Sequence, residues 1–568
     1  MKKFFFLLQV YLFVIFSNGF AQYAPEPLYR DVYAFLSRLA QKGVIEFNDE
    51  IKPLPRLYIL RKLTEVKEKV RSYKGGEAKR CEITSLEKEE LEFYLKDYGL
   101  EEAFIEDKSS ASGVRGAREN ESEVQWLKDS NGRYRLLSYS DKLFKLNLDP
   151  ILGYEIGKRD GDSFSHLWNG VRLHGYISDW LGYSFDFRDN AEDGANLDKE
   201  KLFTPETGVV ISRNKPEHFE YSRANTSLNF NWSWGSVLIG KEPITWGYGE
   251  SGLLVHSTKA PSYPMIRLDV NLTSWLRFNY FHGWLSSDVV DSSASYPTLR
   301  ENYERTIIRK KFIASHTVIV SPYDGLSVSF GESVIYSDNL EPLYLFPLMF
   351  FRAADHYLSN DAGGNNAGAN SQFFLGISSR NHIPNTHLYG TFFIDEIRLS
   401  DLFDPEKQRT QIAFQIGGSV TDLPIENLTA TLEYTKIYPF VYRHYIPTQT
   451  YANHDYVLGD WMGHNSDRIY GSLNYRIIRG LQAQVWGEYI RKGEDGETED
   501  QYVVPQPPFL FGLRTNYTRF GVSVKYEIVH DLFVRARYNN FLTSEEQENG
   551  AFNDTRTSEF YFAVYFGM

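Results

Sequence analysis

Cysteine is almost missing from this 568-residue chain: Cys81 stands alone, which excludes an intramolecular disulfide and any zinc site built on cysteine. No His and acid partner can be assigned to it, so Cys81 reads as a small residue flanking a helix rather than a nucleophile. After the first two dozen residues there is no apolar run as long as a membrane-spanning helix needs. Basic charge is short too. Lys and Arg number 61 against 74 Asp and Glu, a net charge of -13, and a chain without a basic footprint is not a non-specific nucleic-acid binder. Catalytic spacings are also missing. The 13 histidines are scattered and no HExxH occurs. GESGL at Gly249–Leu253 lacks the glycine spacing and the strand–turn–helix setting of a nucleophile elbow. No catalytic residue, metal or cofactor is expected.

What is present lies first at the two ends. Lys2 and Lys3, the apolar stretch Phe4–Phe16 and the small residues Gly19 and Ala21 have the layout of an export signal cleaved after residue 21. At the other end Phe560, Phe562, Val564, Phe566 and Met568 alternate with Tyr561, Ala563, Tyr565 and Gly567. A terminal strand apolar on one face suits lipid outside and a wet lumen within. Composition agrees. Aromatics are 16% of the chain, yet mean hydropathy is -0.40 and charged residues make up 24%, which fits interfacial aromatic girdles better than a dry core.

The chain divides into an export signal over 1–21, a helical bundle over 22–106, a linker over 107–140 and a β-domain over 141–568. In the bundle, Leu28, Val32, Phe35, Leu36 and Leu39 fall at helical spacing and stop at Gly43. A second helix is expected from Pro55 to about Ser72. A third starts at Thr84 or Ser85, where Thr84 and Glu87 form a capping-box pattern, and ends at Gly99. The run 107–123 is polar and rich in Ser, Gly and charge, the composition of a linker.

Past Leu143 the period becomes two. Phe520, Val522, Val524, Tyr526 and Ile528 alternate with Gly521, Ser523, Lys525 and Glu527, and Leu532, Val534, Ala536 and Tyr538 alternate with Phe533, Arg535, Arg537 and Asn539. Alternation alone also describes a soluble sandwich. Connection lengths separate the two: tight turns at 178–180, 233–235, 273–275, 322–325, 479–480 and 530–531 interleave with long excursions at 190–222, 287–308, 338–371, 441–466, 491–511 and 541–556. Short turns at one end and long loops at the other define an outer-membrane barrel. The expected fold is therefore an all-β transmembrane antiparallel β-barrel of about 18 strands in the cell outer membrane, with a small periplasmic α-helical bundle.

Three segments break the alternation. GKEPITWGYGESGLLVHSTKAPSYP carries Trp246 and Tyr248; NLEPLYLFPLMFFRAADHYLSN carries Tyr344 and His356 and is expected to fold as a helical hairpin inside the lumen or across its mouth; DAGGNNAGANSQ offers Asn365 and Asn366. Exposed rings beside amides are what sugar recognition needs, because rings stack on apolar pyranose faces while amides serve the hydroxyls. Trp246, Tyr248, Tyr344, His356, Asn365, Asn366, Tyr451 and Trp461 are accordingly the candidate polysaccharide-binding residues. The bland reading is that such aromatics are girdle residues.

LYRDVYAFLSRLAQKGVIEF, KPLPRLYILRKL, GKEPITWGYGESGLLV, YLFPLMFF and LYGTFFIDEI resemble segments of the Wzi-like capsule-assembly outer-membrane proteins. The resemblance implies an eighteen-stranded barrel closed by helices and by a periplasmic bundle. It further implies a non-enzymatic, lectin-like role in retaining extracellular or capsular polysaccharide. The chain itself is expected to contact outer-membrane lipid and to act as a monomer. The resemblance does not carry sugar-binding residues across. The rival reading is a porin or a substrate-specific transporter for sugars or other solutes, with Lys525, Glu527, Arg535 and Arg537 lining the lumen. An outer-membrane hydrolase is a third class, for which no residue spacing ties candidates together.

Overall fold

The computed structural model describes residues 24–72, 83–102, 122–300, 302–361, 368–396 and 410–567. The expected export signal, Cys81, Asn365, Asn366 and residues 107–121 of the expected linker lie outside them. Among the described residues eighteen antiparallel strands close a barrel, from Phe144–Arg159 to Phe552–Phe566, which pair with each other to complete the ring. The period-two pattern sets which side each residue takes. Phe560, Phe562 and Val564 are exposed on the outer wall, while Tyr561, Ala563 and Tyr565 are buried within. Likewise Phe520, Val522 and Val524 point out and Arg519, Ser523, Arg535 and Arg537 line an interior cavity. A wall of exposed Leu, Ile, Val and Phe around a polar interior is the surface of a barrel in lipid.

One end of the barrel carries the short turns, including all six anticipated ones; the other carries the long loops. Two loop-end connections are short, however. Asp160–Gly161 joins the first two strands with positive φ at both positions, the backbone of a tight hairpin turn, and 547–551 joins the last two. The segment expected as a linker is in its second half a β-hairpin, Glu123–Lys128 with Tyr134–Ser140, whose second strand pairs with Lys145–Leu148. It extends the sheet at the turn end beyond the stretch of the first strand that meets Phe552–Phe566.

The helical segment folds as α1 (Val32–Gln41), α2 (Arg56–Ser72) and α3 (Ser85–Leu95). Thr84 and Glu87 form the expected capping box. The segment is bound to the turn end: Gln41 donates to the Asn385 and Ser419 carbonyls at 2.8 Å, Arg380 meets Asp49 at 2.7 Å, and Arg476 meets Glu90 at 2.7 Å. The chain after α1 then climbs into the lumen, where Ile51 pairs with Trp246 of the connection 243–262. That connection and 438–465 fold inward, and Ile51, Trp246, Leu254, Val255, Tyr442, Tyr451, Leu458 and Met462 build one apolar core with the inward faces of the wall strands. The lumen is thus plugged from both ends.

The apolar segment 340–361 takes no part in this plug, contrary to expectation. It forms a 3₁₀ turn (Pro342–Leu345) and α4 (Phe351–Asp361), which cover the outer wall of the barrel. Tyr280, Phe312, Ala314, Val334 and Tyr336 share the outward parity of the strands, and they are buried against Tyr344, Phe351 and Ala354.

Candidate functional site

Between the plug and the last five wall strands lies a cavity of about 820 Å³. It runs from Ser523 and Arg535 in mid-strand to Asp160 and Asn196 at the loop end, both exposed. Ring faces come from two sources. Inward positions of the wall supply Trp486 and Phe541, and the in-folded connections supply Phe203 and Trp461. Gly521 makes room for Trp486: a Cβ there would stand 2.4 Å from the indole nitrogen, so the ring lies across the neighbouring strand as only a glycine permits.

At the centre is Arg519. Its guanidinium sits 5.3 Å from the Phe203 and Trp461 rings, 4.9 Å from Tyr517 and 5.5 Å from Phe541, with Glu488 at 3.6 Å. Cation–π contacts of this kind hold the guanidinium plane without consuming its donors. The Trp461 indole donates to the Ser251 carbonyl at 2.9 Å. Ser251 and Glu250 are held by Glu433, whose carboxylate accepts their amides at 2.9 and 2.6 Å. The Ser251 hydroxyl also donates to Glu433, so the GESGL serine is a structural ligand of the plug. Glu250 in turn accepts from Tyr470, Ser472 and Gln484 at 2.9–3.0 Å.

The remaining charges are matched across the cavity. Glu155 accepts from Arg535 at 3.2 Å and Arg537 at 2.8 Å, Arg159 meets Glu559 at 2.8 Å, and Lys201 meets Glu206 at 2.6 Å. Burial would raise the Glu206 carboxyl, but Lys201 and Arg537 outweigh it and hold it well below the usual carboxylate range. The buried Nε donors of Arg535 and Arg537 have no hydrogen-bond partner. Rings, amides and charged side chains lining one cavity can stack on a pyranose and satisfy its hydroxyls. Among the described residues no group of three or more His, Cys, Asp or Glu could hold a metal ion.

Of the candidates singled out in sequence, Trp461 lies in this chamber. Trp246 and Tyr451 are buried in the plug, the first edge-on to Phe374 at 4.9 Å and the second donating to the Val255 carbonyl at 2.8 Å; neither offers a free ring face. Tyr248 packs with Arg380 and His387 beneath the plug. Tyr344 is buried under the outer-wall hairpin and His356 is exposed on α4. Phe203, Trp486, Arg519 and Phe541, which share the chamber with Trp461, are not among the candidates read from the sequence. The available signal was that Trp486, Arg519 and Phe541 hold inward parity, where a wet lumen rather than lipid would receive them.

These features define a transmembrane β-barrel with a plugged lumen and, beside the plug, an aromatic, charge-lined chamber opening toward its loops. The sequence profile described as capsule assembly protein Wzi matches residues 217–556, more than half of the chain, and the chain belongs to that family. Among solved structures it is similar to Wzi of Escherichia coli, described as an outer-membrane protein involved in group 1 capsule assembly and a carbohydrate-binding β-barrel. The TM-score is 0.51 at 12% identity, covering 97% of this chain and 100% of that one; at such identity the likeness is one of fold. The outer-membrane protein OprD from Pseudomonas aeruginosa aligns with a TM-score of 0.40 at 13% identity over 74% of this chain and 93% of its own. No curated protein matches the chain by sequence.

Proposed function

We propose that this protein is a non-enzymatic lectin of the outer membrane that holds an extracellular or capsular polysaccharide at the cell surface, by binding saccharide units in the chamber around Arg519. The chamber carries this reading: about 820 Å³ is the size of a small-molecule site, and its lining alternates ring faces with hydrogen-bonding groups. In this reading residues 1–21 direct export, the bundle and turn end are periplasmic, and the loop end faces outward. Repeated weak contacts along one polymer, or across many copies of the barrel, give retention by avidity. The plug supports a holding role over transport.

Trp486→Ala and Arg519→Ala are each expected to weaken binding of the cell's own purified surface polysaccharide by about tenfold or more, the scale of losing a central ring or guanidinium contact. Calorimetric titration of the refolded protein checks this. Unchanged binding in the double variant would move the site elsewhere. In cells, deleting the gene is expected to leave polymer synthesis intact and to release polymer into the medium; unchanged surface polymer would overturn the proposed role.

A further inference from the structure

The outer wall holds an arrangement that a lipid-facing surface should not contain. Glu332, His316 and His282 lie on outward parity, next to exposed outward residues such as Phe330 and Val318. Each is protected by the hairpin 340–361 or its contacts. Glu332 accepts from the Phe351 and Arg352 amides at 2.8 and 2.6 Å, the first turn of α4. His316 stands 3.6 Å from the same carboxylate and stacks at 4.5 Å on Phe351. His282 and the Tyr336 hydroxyl are 2.7 Å apart, and Tyr280 donates to the Tyr344 carbonyl at 2.9 Å. The segment therefore covers these polar groups together with the apolar cluster on which it packs.

Its other side is the reverse. Leu340, Leu345, Phe346, Leu348 and Phe350 are all exposed, Leu348 at 85% of its free surface. Phe350 joins this edge to the lipid-facing belt: it lies 6.1 Å from the outward Phe373, which stacks on Phe330 at 6.4 Å. We propose that this hairpin is a membrane-embedded element whose partner is the acyl-chain layer at the loop end of the barrel. It exchanges a carboxylate and two imidazoles on the wall for a contiguous apolar surface. An exposed apolar edge such as Leu340–Phe350 marks an interaction surface rather than one left to water, the exposed Arg352 and His356 of α4 following it in the chain, and backbone at membrane depth is tolerated where it is helical or held against protein. This inference needs only that the barrel sits in a bilayer; it is independent of what the chamber binds.

The test uses full-length protein in lipid bilayers carrying Cys81→Ser and one nitroxide label, at Leu348→Cys, at Phe330→Cys as the lipid reference, or at Glu548→Cys in the turn 547–551 as the water reference. Collision of the label with oxygen and with a water-soluble nickel chelate is read for each. The expected result is that the 348 label behaves as the 330 label does, oxygen colliding more than nickel, with the order reversed at 548. Nickel collisions dominating at 348 as at 548 would overturn the proposal and leave the apolar edge free for a protein or polymer partner. All three positions are exposed, and none of the three side chains belongs to a buried core.

Discussion

Reconstituted in a planar bilayer, the protein is expected to pass no steady current, and a variant lacking Asn339 to Asn360 is expected to stay closed as well. The reason is position. That segment packs on outward residues such as Val334 and Tyr336, so its removal takes nothing out of the lumen. The obstruction is the core formed by Ile51, Trp246, Leu254, Val255, Tyr442, Tyr451 and Leu458, whose hydroxyls and indoles are tied off to one another's connections: Tyr442 donates to the Leu254 carbonyl at 2.7 Å and Tyr451 to that of Val255 at 2.8 Å. Replacing 250–258 and 439–464 together by short Gly–Ser connections, in a variant that also lacks residues 24–102, is expected to produce a measurable conductance. It would join the loop-end space to a second lumen cavity of about 700 Å³, which the helical segment borders at Pro25–Tyr29. Steady current through the hairpin deletion, with the double replacement closed, would reverse the assignment of the plug.

That contrast marks where the sequence was legible and where it was not. Strand number, sidedness and the capping box at Thr84 were readable because they are local: parity decides the face of Phe562 or Arg537, and four residues decide a helix start. The location of 340–361 was not, because an apolar segment packs equally well on inward Ile335 or outward Val334. What distinguishes the two walls is the polar minority. Glu332, His316 and His282 on lipid-side parity require a cover, and only the pairing register reveals that they adjoin. The burial of Trp246 and Tyr451 was illegible for a related reason. Irregular aromatic segments in a barrel domain do not have to be exposed loops, and here Trp246 and Tyr451 fill the lumen, while the rings facing the chamber include regular strand positions such as Trp486 and Phe541. The hairpin 123–140 falls inside the expected linker because only the polar run 107–123 carries the linker composition, and nothing in that run marks where the strands pairing with 145–148 begin.

Asp97→Ala is expected to destabilise the attachment of the helical segment by about 3–5 kcal/mol, the cost of removing one partner from a buried ion pair. Asp97 is buried and shared by Arg30, Arg56, Arg133 and Arg135, and Asp531 in the turn 530–531 joins Arg30 and Arg133. Burial alone would raise both carboxyls. The guanidiniums outweigh it, holding Asp97 well below the ordinary range and Asp531 at about 2. A carboxyl whose folded pKa is depressed binds its proton more readily in the unfolded chain. The stabilisation is therefore complete above an unfolded value of about 4 and is lost as pH falls, through about 2 for Asp531 and lower still for Asp97. With Asp97 gone, the guanidiniums around it lose their shared counter-charge in a cleft that water does not reach, so the helical segment should open while the strand ladder of the barrel holds. Limited proteolysis at neutral pH reads this directly: cleavage within residues 24–102 of the variant with the barrel still migrating as folded is the expected pattern. Cleavage no faster than in the wild type would show that the ladder around Gln41, Arg380 and Arg476 suffices to hold the segment, and that this ion cluster sets specificity of docking rather than its strength.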